Sequence, residues 1–302
     1  MDIRNNVKGI LLVIISTILW ALNGNVGSYL FKYKGVTPDH LTMFRLIFAG
    51  LILLIYEYYS NNDLFDIFQE KSNSLRLIYF AFCGLLAMQY GYFAAVKYSN
   101  AATATILQSM APFIIVIITS IIQKKIPSKN ITFALVFALI GAFLLITHGN
   151  IDQLAITKLA LIFGLLAAIG SVGYNLAPIS LQKRYSTTLI MGWAMFISGV
   201  GFMVVFRPLN IPIVITVRTI LGIFFVVTFG TLFPFLFYLM GSKIIGAQRA
   251  SILSLIEPVA ATIIAVLFMG EKFKKVDYIG IGLVVFALFL LNGPEKKLES
   301  NS

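Results

Sequence analysis

Charge is scarce in this chain: only 12% of its 302 residues are Asp, Glu, Lys or Arg. A water-soluble domain of this size needs far more polar surface, because charged residues ordinarily make up about a quarter of the composition. Cysteine is nearly absent, with Cys83 alone, so no internal disulfide and no multi-cysteine metal site can form. There are two histidines, His40 and His148, both near the ends of apolar runs. Acidic residues number 12 against 23 basic ones, and the net charge is +11. In a soluble protein that excess would point to nucleic acid. Here Lys and Arg fall mainly between apolar runs, where topology and anionic headgroups account for them, so membrane lipids are the expected partner and nucleic acid is not. No paired intramembrane carboxylates and no phosphate-binding loop stand out, which argues against a membrane enzyme or an ATP-driven pump and predicts neither a cofactor nor a metal.

What is abundant is apolar: 59% of residues are hydrophobic and the mean hydropathy is +0.92. Lipid is the solvent that suits such a chain. Crossing a bilayer takes about 20 apolar residues, and ten such runs occur near 9–31, 38–58, 75–96, 102–123, 131–147, 158–181, 188–206, 216–240, 248–269 and 276–292. Arg4 and Lys8 followed by GILLVIISTILWAL resemble a signal peptide, but no small-residue cleavage site follows, so this run reads as a retained helix. The longest connection, 60–74, is polar, and the loops leave no room for a soluble domain. An even number of spans puts both termini on one side. A modest Lys/Arg excess favours the cytoplasm for them, against the contrary cluster KFKK at 272–275.

The chain also repeats. YFAAVKYSNAATATILQSMAPFIIVIIT (92–119) lies over YLMGSKIIGAQRASILSLIEPVAATIIA (238–265) without gaps. Tyr92 meets Tyr238, Lys97 meets Lys243, Ala101 meets Ala247 and Pro112 meets Pro258. A weaker match pairs Asn25 with Asn175. The expected architecture is therefore all-α and integral to the membrane, with two five-helix repeats at 1–147 and 158–292 and a polar tail at 293–302. Five is odd, so the repeats enter the bilayer in opposite senses. Inverted repeats of this kind build secondary transporters around a central site.

At this point the residues resemble a known family: the drug/metabolite transporter superfamily, and within it the EamA-type carriers with two EamA repeats. The resemblance covers nearly all of 9–292 and rests on several short motifs. They are Trp20-Ala21-Leu22-Asn23, Phe44-Arg45-Leu46, the Tyr–Lys–Ala pattern entering the fourth and ninth spans, the mid-span Pro112 and Pro258, and Gly270-Glu271-Lys272. Departures are Ala21 where a glycine is common, Gln123-Lys124-Lys125 in place of the Met269-Gly270-Glu271 of the second half, and Trp193 opposite Arg45. The resemblance implies a ten-helix cell-membrane carrier of a small metabolite such as an amino acid or amine, with export favoured. A lipid-linked substrate in the same architecture stays open, and a membrane enzyme or channel fits less well.

Polar residues in the spans are the candidate site. Glu257 lies near mid-span, where a charge costs about 2.5–3.5 kcal/mol, so it should face protein or a cavity. A solute, a coupling proton, or a structural tie to Arg45 or hydroxyl groups would each account for it. Pro112 and Pro258 break their helices at matching depth and read as paired hinges beside the cavity, or as kinks that shape packing alone. Arg45, inside the second span, suits the outer vestibule or a structural pairing. The expected cavity lining is Trp20, Asn23, Gln89, Tyr92, Gln108, Tyr174, Asn175, Trp193, Tyr238 and Glu257. Aromatic walls with one acid suit a small amphipathic, cation-bearing solute, with protons as a candidate coupling partner. Helices five and ten offer a dimer surface or a scaffold, so monomer and homodimer both stay open.

Overall fold

The structure is a computed structural model and describes residues 3–60, 63–99, 101–153, 157–269 and 274–292. Gly270-Glu271-Lys272, the first half of the KFKK cluster and the tail at 293–302 lie outside them.

Among the described residues the fold is helical throughout, with no strand. Ten long helices follow one another: α1 Ile3–Lys34, α2 Pro38–Tyr59, α3 Lys71–Tyr98, α4 Ala101–Gln108 with Ala111–Gln123, α5 Lys129–Thr147, α6 Lys158–Lys183, α7 Thr187–Phe206, α8 Val217–Ile245, α9 Ala247–Leu253 with Glu257–Met269, and α10 Lys275–Asn292. Nine of them are long and apolar enough to cross a membrane among the described residues; α10, with 18 residues, falls outside that set.

The boundaries have local causes. Thr37, Ser128, Thr157, Ser186 and Thr216 cap helix N-termini with side-chain oxygens that accept otherwise orphaned N–H groups. Lys124, His148 and Arg207 end helices in the left-handed region at φ 51°, 48° and 47°. His148 Nδ1 then meets Asp277 Oδ1 at 2.8 Å, which fastens the end of α5 to the start of α10.

Helices pair as α1 with α8, α3 with α6, α2 with α7, α4 with α9 and α5 with α10. Exchanging the two five-helix sets turns this pairing into itself, as a pseudo-two-fold arrangement requires. The irregularities repeat as well. A wider, π-type stretch interrupts α3 at Phe80–Leu86 and α8 at Thr228–Leu232. Moving the first of these by the Tyr92-to-Tyr238 offset lays it over 226–232. The helix breaks before Pro112 and Pro258 correspond in the same way.

In lipid, apolar burial does not press helices together, so close backbone approach must. A Cβ on Gly170 of α6 would come within 2.3 Å of the Met88 backbone nitrogen of α3. Gly141 and Gly280 pack backbone to backbone between α5 and α10. Large apolar side chains such as Leu221, Val204 and Phe289 instead point outward and are exposed. Buried positions hold polar residues including Asn23, Arg45, Gln89 and Asn175.

Replacing Gly170 by valine should therefore force α3 and α6 apart. Overpacking of this kind costs about 1–3 kcal/mol, so the melting temperature of the purified protein should fall clearly. Gly282→Ala, where a Cβ meets nothing within 4 Å, should leave it unchanged. Equal melting of the two variants would refute the close-packing account.

Candidate functional site

A cavity of about 920 Å³, counting space open to solvent, lies between the two halves. Helices α1, α2, α3 and α4 of the first half and α6, α8 and α9 of the second all contribute to its wall.

Trp20, Asn23, Gln89, Tyr92, Gln108, Tyr174, Asn175, Tyr238 and Glu257 all line it, as do Pro112 and Pro258. Arg45 lines the same cavity and is only 3% exposed. Trp193 requires a correction. Its indole Nε1 donates to the Leu64 carbonyl at 2.7 Å, and its ring packs against Phe65 and Phe68 with centroids 5.5 and 4.9 Å away. The short helix after α2, Asp66–Gln69, folds back over this indole, so Trp193 anchors a loop outside the cavity wall. Sequence alone could not see that the 60–74 connection returns to cover it.

The lining divides into polar groups already satisfied by protein and polar groups that are not. Tyr174 donates its hydroxyl to the Phe235 carbonyl at 2.7 Å, and Tyr238 donates to Asn175 Oδ1 at 2.7 Å. Asn175 Nδ2 donates to the Ser171 carbonyl at 2.8 Å, and Gln108 Nε2 to Ser171 Oγ at 3.2 Å. These residues are wall. With Trp20 and Phe235 they form an aromatic cluster, Trp20 lying 5.0 Å from Phe235 and 5.3 Å from Tyr238 between centroids.

The second group has no such partners. Trp20 Nε1, Asn23 Oδ1 and both amide atoms of Gln89 are buried and make no hydrogen bond. Glu257 is partly exposed, to the cavity that it lines, and none of the hydrogen bonds or ion pairs among the described residues includes it. In particular it is not within 4.0 Å of Arg45, so the direct tie between the two is absent. Arg45 instead donates from Nε to Thr231 Oγ1 at 2.9 Å. Buried polar groups are normally paired, so a cluster of unpaired ones in one cavity is a functional signal.

Sequence reasoning missed Phe93, Thr105, Ser171, Phe235, Ser251 and Ser254 in this wall. Some signals were present: Ser171 sits one turn before Asn175, and Phe235 is the repeat counterpart of Gln89.

Both helix breaks adjoin the cavity. Proline at 258 cannot bond the Ser254 carbonyl one turn back, and the Ser254–Ile256 turn solves this by letting the Glu257 N–H bond it instead. Beyond the breaks, the second part of α4 packs on the first part of α9. Gln248 Nε2 donates there to Thr119 Oγ1. It is a side-chain contact between the two halves.

The EamA-like transporter family matches this chain over residues 7–147 and again over 158–293. An uncharacterized inner membrane transporter of Salmonella typhimurium, YicL, is 33% identical over 285 residues, covering 94% of this chain and 95% of the relative. An uncharacterized transporter of Bacillus subtilis, YwfM, is 24% identical over 291 residues, covering 96% and 95%. A solved crystal structure superposes with a TM-score of 0.77 at 17% identity, covering 97% of this chain and 99% of its own, which shows a shared fold.

Trp193→Phe should remove the bond to Leu64 and lower stability by about 1 kcal/mol, visible as a lower melting temperature. The cavity and any flux through it should be unaffected in the folded fraction. Reduced flux with unaltered melting would contradict this placement.

Proposed function

Because the chain belongs to the EamA-like transporter family, we propose that it is a secondary carrier of a small amphipathic metabolite that works by alternating access. The observation that carries this reading is the set of unpaired polar atoms of Trp20, Asn23, Gln89 and Glu257 facing one cavity between the halves. Water or a solute must serve them, and a solute that does so gains hydrogen bonds the empty site lacks. With both termini cytoplasmic, the Thr119–Gln248 end faces the cytoplasm and the protein is a cell-membrane exporter caught with that gate shut. Helices α4 and α9 pivot at Pro112 and Pro258, and exchanging the conformations of the two halves opens the gate and closes the opposite mouth. A solute or proton gradient drives the cycle, and Glu257 is the group through which protons would act.

One observation favours a second reading, a lipid-linked substrate. An apolar cleft of about 610 Å³ between α4 and α5, lined by Ile106, Met110, Leu139 and Phe143 among others, shares Ser109 with the central cavity. An acyl chain in that cleft would leave a polar head in the cavity. The ordinary carrier takes precedence because the cavity wall itself is aromatic and hydrogen-bonding.

Proteoliposomes test the gate. Cysteines at Thr119 and Gln248, joined by a short bifunctional thiol reagent in a Cys83→Ser background, should cut flux of amino acids or amines more than tenfold, with recovery on reduction. Full flux in cross-linked protein would overturn the proposed cycle.

The role of Glu257 is tested separately. Glu257→Gln should melt like the wild type and keep solute exchange, yet lose the response of flux to an imposed pH gradient. Gln keeps the shape and hydrogen bonding of the side chain but cannot ionise. Lower melting with unchanged pH response would make the carboxylate a structural group.

A further inference from the structure

Helices α2 and α7 come from opposite halves, yet they are joined at both faces of the membrane and along their length. Resting on the carrier reading above, we propose that this pair never parts. It is a fixed post, clasped at each end, and the transport cycle moves α4 and α9 against it.

The clasp at the end of α2 is polar. Glu57 is 1% exposed and accepts from Ser186 Oγ at 2.6 Å and from Thr188 Oγ1. Ser186 also caps α7 by taking the Leu189 N–H at 3.0 Å. The carboxylate therefore sits at the start of a helix, where negative charge is favoured. The 60–74 connection extends the clasp. Arg184 Nη1 donates to both Glu70 oxygens at 2.7 and 2.8 Å. Asn73 Nδ2 donates to Glu70 Oε2 and to the Tyr185 hydroxyl, each at 3.0 Å. Leu64, in the same connection, receives the Trp193 indole of α7.

The opposite face has a counterpart. His40 lies fully buried in the first turn of α2 and donates from Nε2 to the Ile211 carbonyl at 3.1 Å, in the connection that follows α7. Its Nδ1 accepts the Thr37 N–H at 3.2 Å, so the proton is assigned to Nε2. Pro208–Asn210 packs on α2, and Ile213 packs against the cluster that holds Val36 and Leu41. At each face, then, a ring nitrogen on one helix of the pair holds a carbonyl in the connection that follows the other. Between the faces the backbones touch. A Cβ on Gly50 would lie 2.6 Å from the Phe196 nitrogen, and one on Gly199 would lie 2.9 Å from the Ile47 nitrogen.

A gate has another pattern. Ala111–Gln123 of α4 packs on Ala247–Leu253 of α9. The remaining parts of the same helices, Ala101–Gln108 and Glu257–Met269, do not pack comparably among the described residues. Contact at one end only is what alternating access requires of a moving pair. Parting α2 from α7 would strip Ser186 and Thr188 from a buried carboxylate at one face, and Ile211 from a buried imidazole at the other. Both losses are costly.

Weakening a contact that a gate must break shifts the population toward the state open at that face, whereas weakening a permanent tie shifts nothing. The readout is a single cysteine at Ser254 in a Cys83→Ser background, labelled in oriented vesicles by a sulfonated maleimide from each face in turn. Trp193→Phe with Arg184→Ala loosens one clasp. His40→Asn loosens the other, since Asn keeps an acceptor for Thr37 but cannot reach Ile211. Both variants should melt lower than the parent and keep the ratio of the two labelling rates within about twofold. Thr119→Val should raise labelling from the Thr119–Gln248 face by at least about threefold. A comparable shift in either clasp variant, toward the face where its ties were removed, overturns the proposal. Unchanged melting in either also overturns it, because that clasp would then hold nothing. Failure of the carrier reading looks different: labelling would stay at one face for every variant, Thr119→Val included.

Discussion

Within a bilayer there is no water to satisfy a stray polar group, and this constraint organises the whole structure. A backbone that cannot rely on water must be helical or locally repaired. Each long element of the described chain is accordingly a helix, and two of the interruptions show their repair. The Glu257 N–H takes over the carbonyl that Pro258 cannot bond. Thr231 bonds Val226 across the wider turn of α8. Where helices need contact, glycine brings backbone against backbone, because lipid offers no hydrophobic gain for bringing large side chains together.

The same constraint distinguishes wall from site. Tyr174, Tyr238 and Asn175 bond to neighbouring protein within the second half, and Gln108 bonds across to Ser171 from the first. Trp20, Asn23 and Gln89 retain buried polar atoms with no partner, while the Arg45 fork and the Glu257 carboxylate face the cavity. Such groups persist at a cost of roughly 1–3 kcal/mol each when nothing satisfies them. Their gathering in one place, at the meeting of two repeats, is the physical content of the transport reading.

Much of this was legible in the sequence, because the signals are strong and local. Runs of about 20 apolar residues mark spans wherever lipid is the solvent. Tyr92 and Tyr238, Lys97 and Lys243, and Pro112 and Pro258 reveal the repeat because polar residues and prolines in apolar helices are rare enough to align. The rest depends on long-range packing that periodicity does not carry. Nothing near Arg45 in the sequence announces that Thr231, 186 positions away, holds its Nε. Trp193 reads as cavity lining until the loop carrying Leu64, Phe65 and Phe68 is seen folded over it. Phe235 gives no polar signal at all, yet it packs against Trp20, Tyr174 and Arg45 at once. The Thr119–Gln248 contact joins two residues whose meeting only the helix pairing reveals.

The central claim is that one cavity, built by both halves, is exposed to each side of the membrane in turn. A single cysteine at Ser254, which lines the cavity beside the α9 break, tests this directly once Cys83 is replaced by serine. A membrane-impermeant thiol reagent is added to one face of oriented vesicles at a time, with and without saturating solute. The account predicts labelling from either face and protection from both by the same solute. Labelling from one face alone, with the solute making no difference, would contradict it.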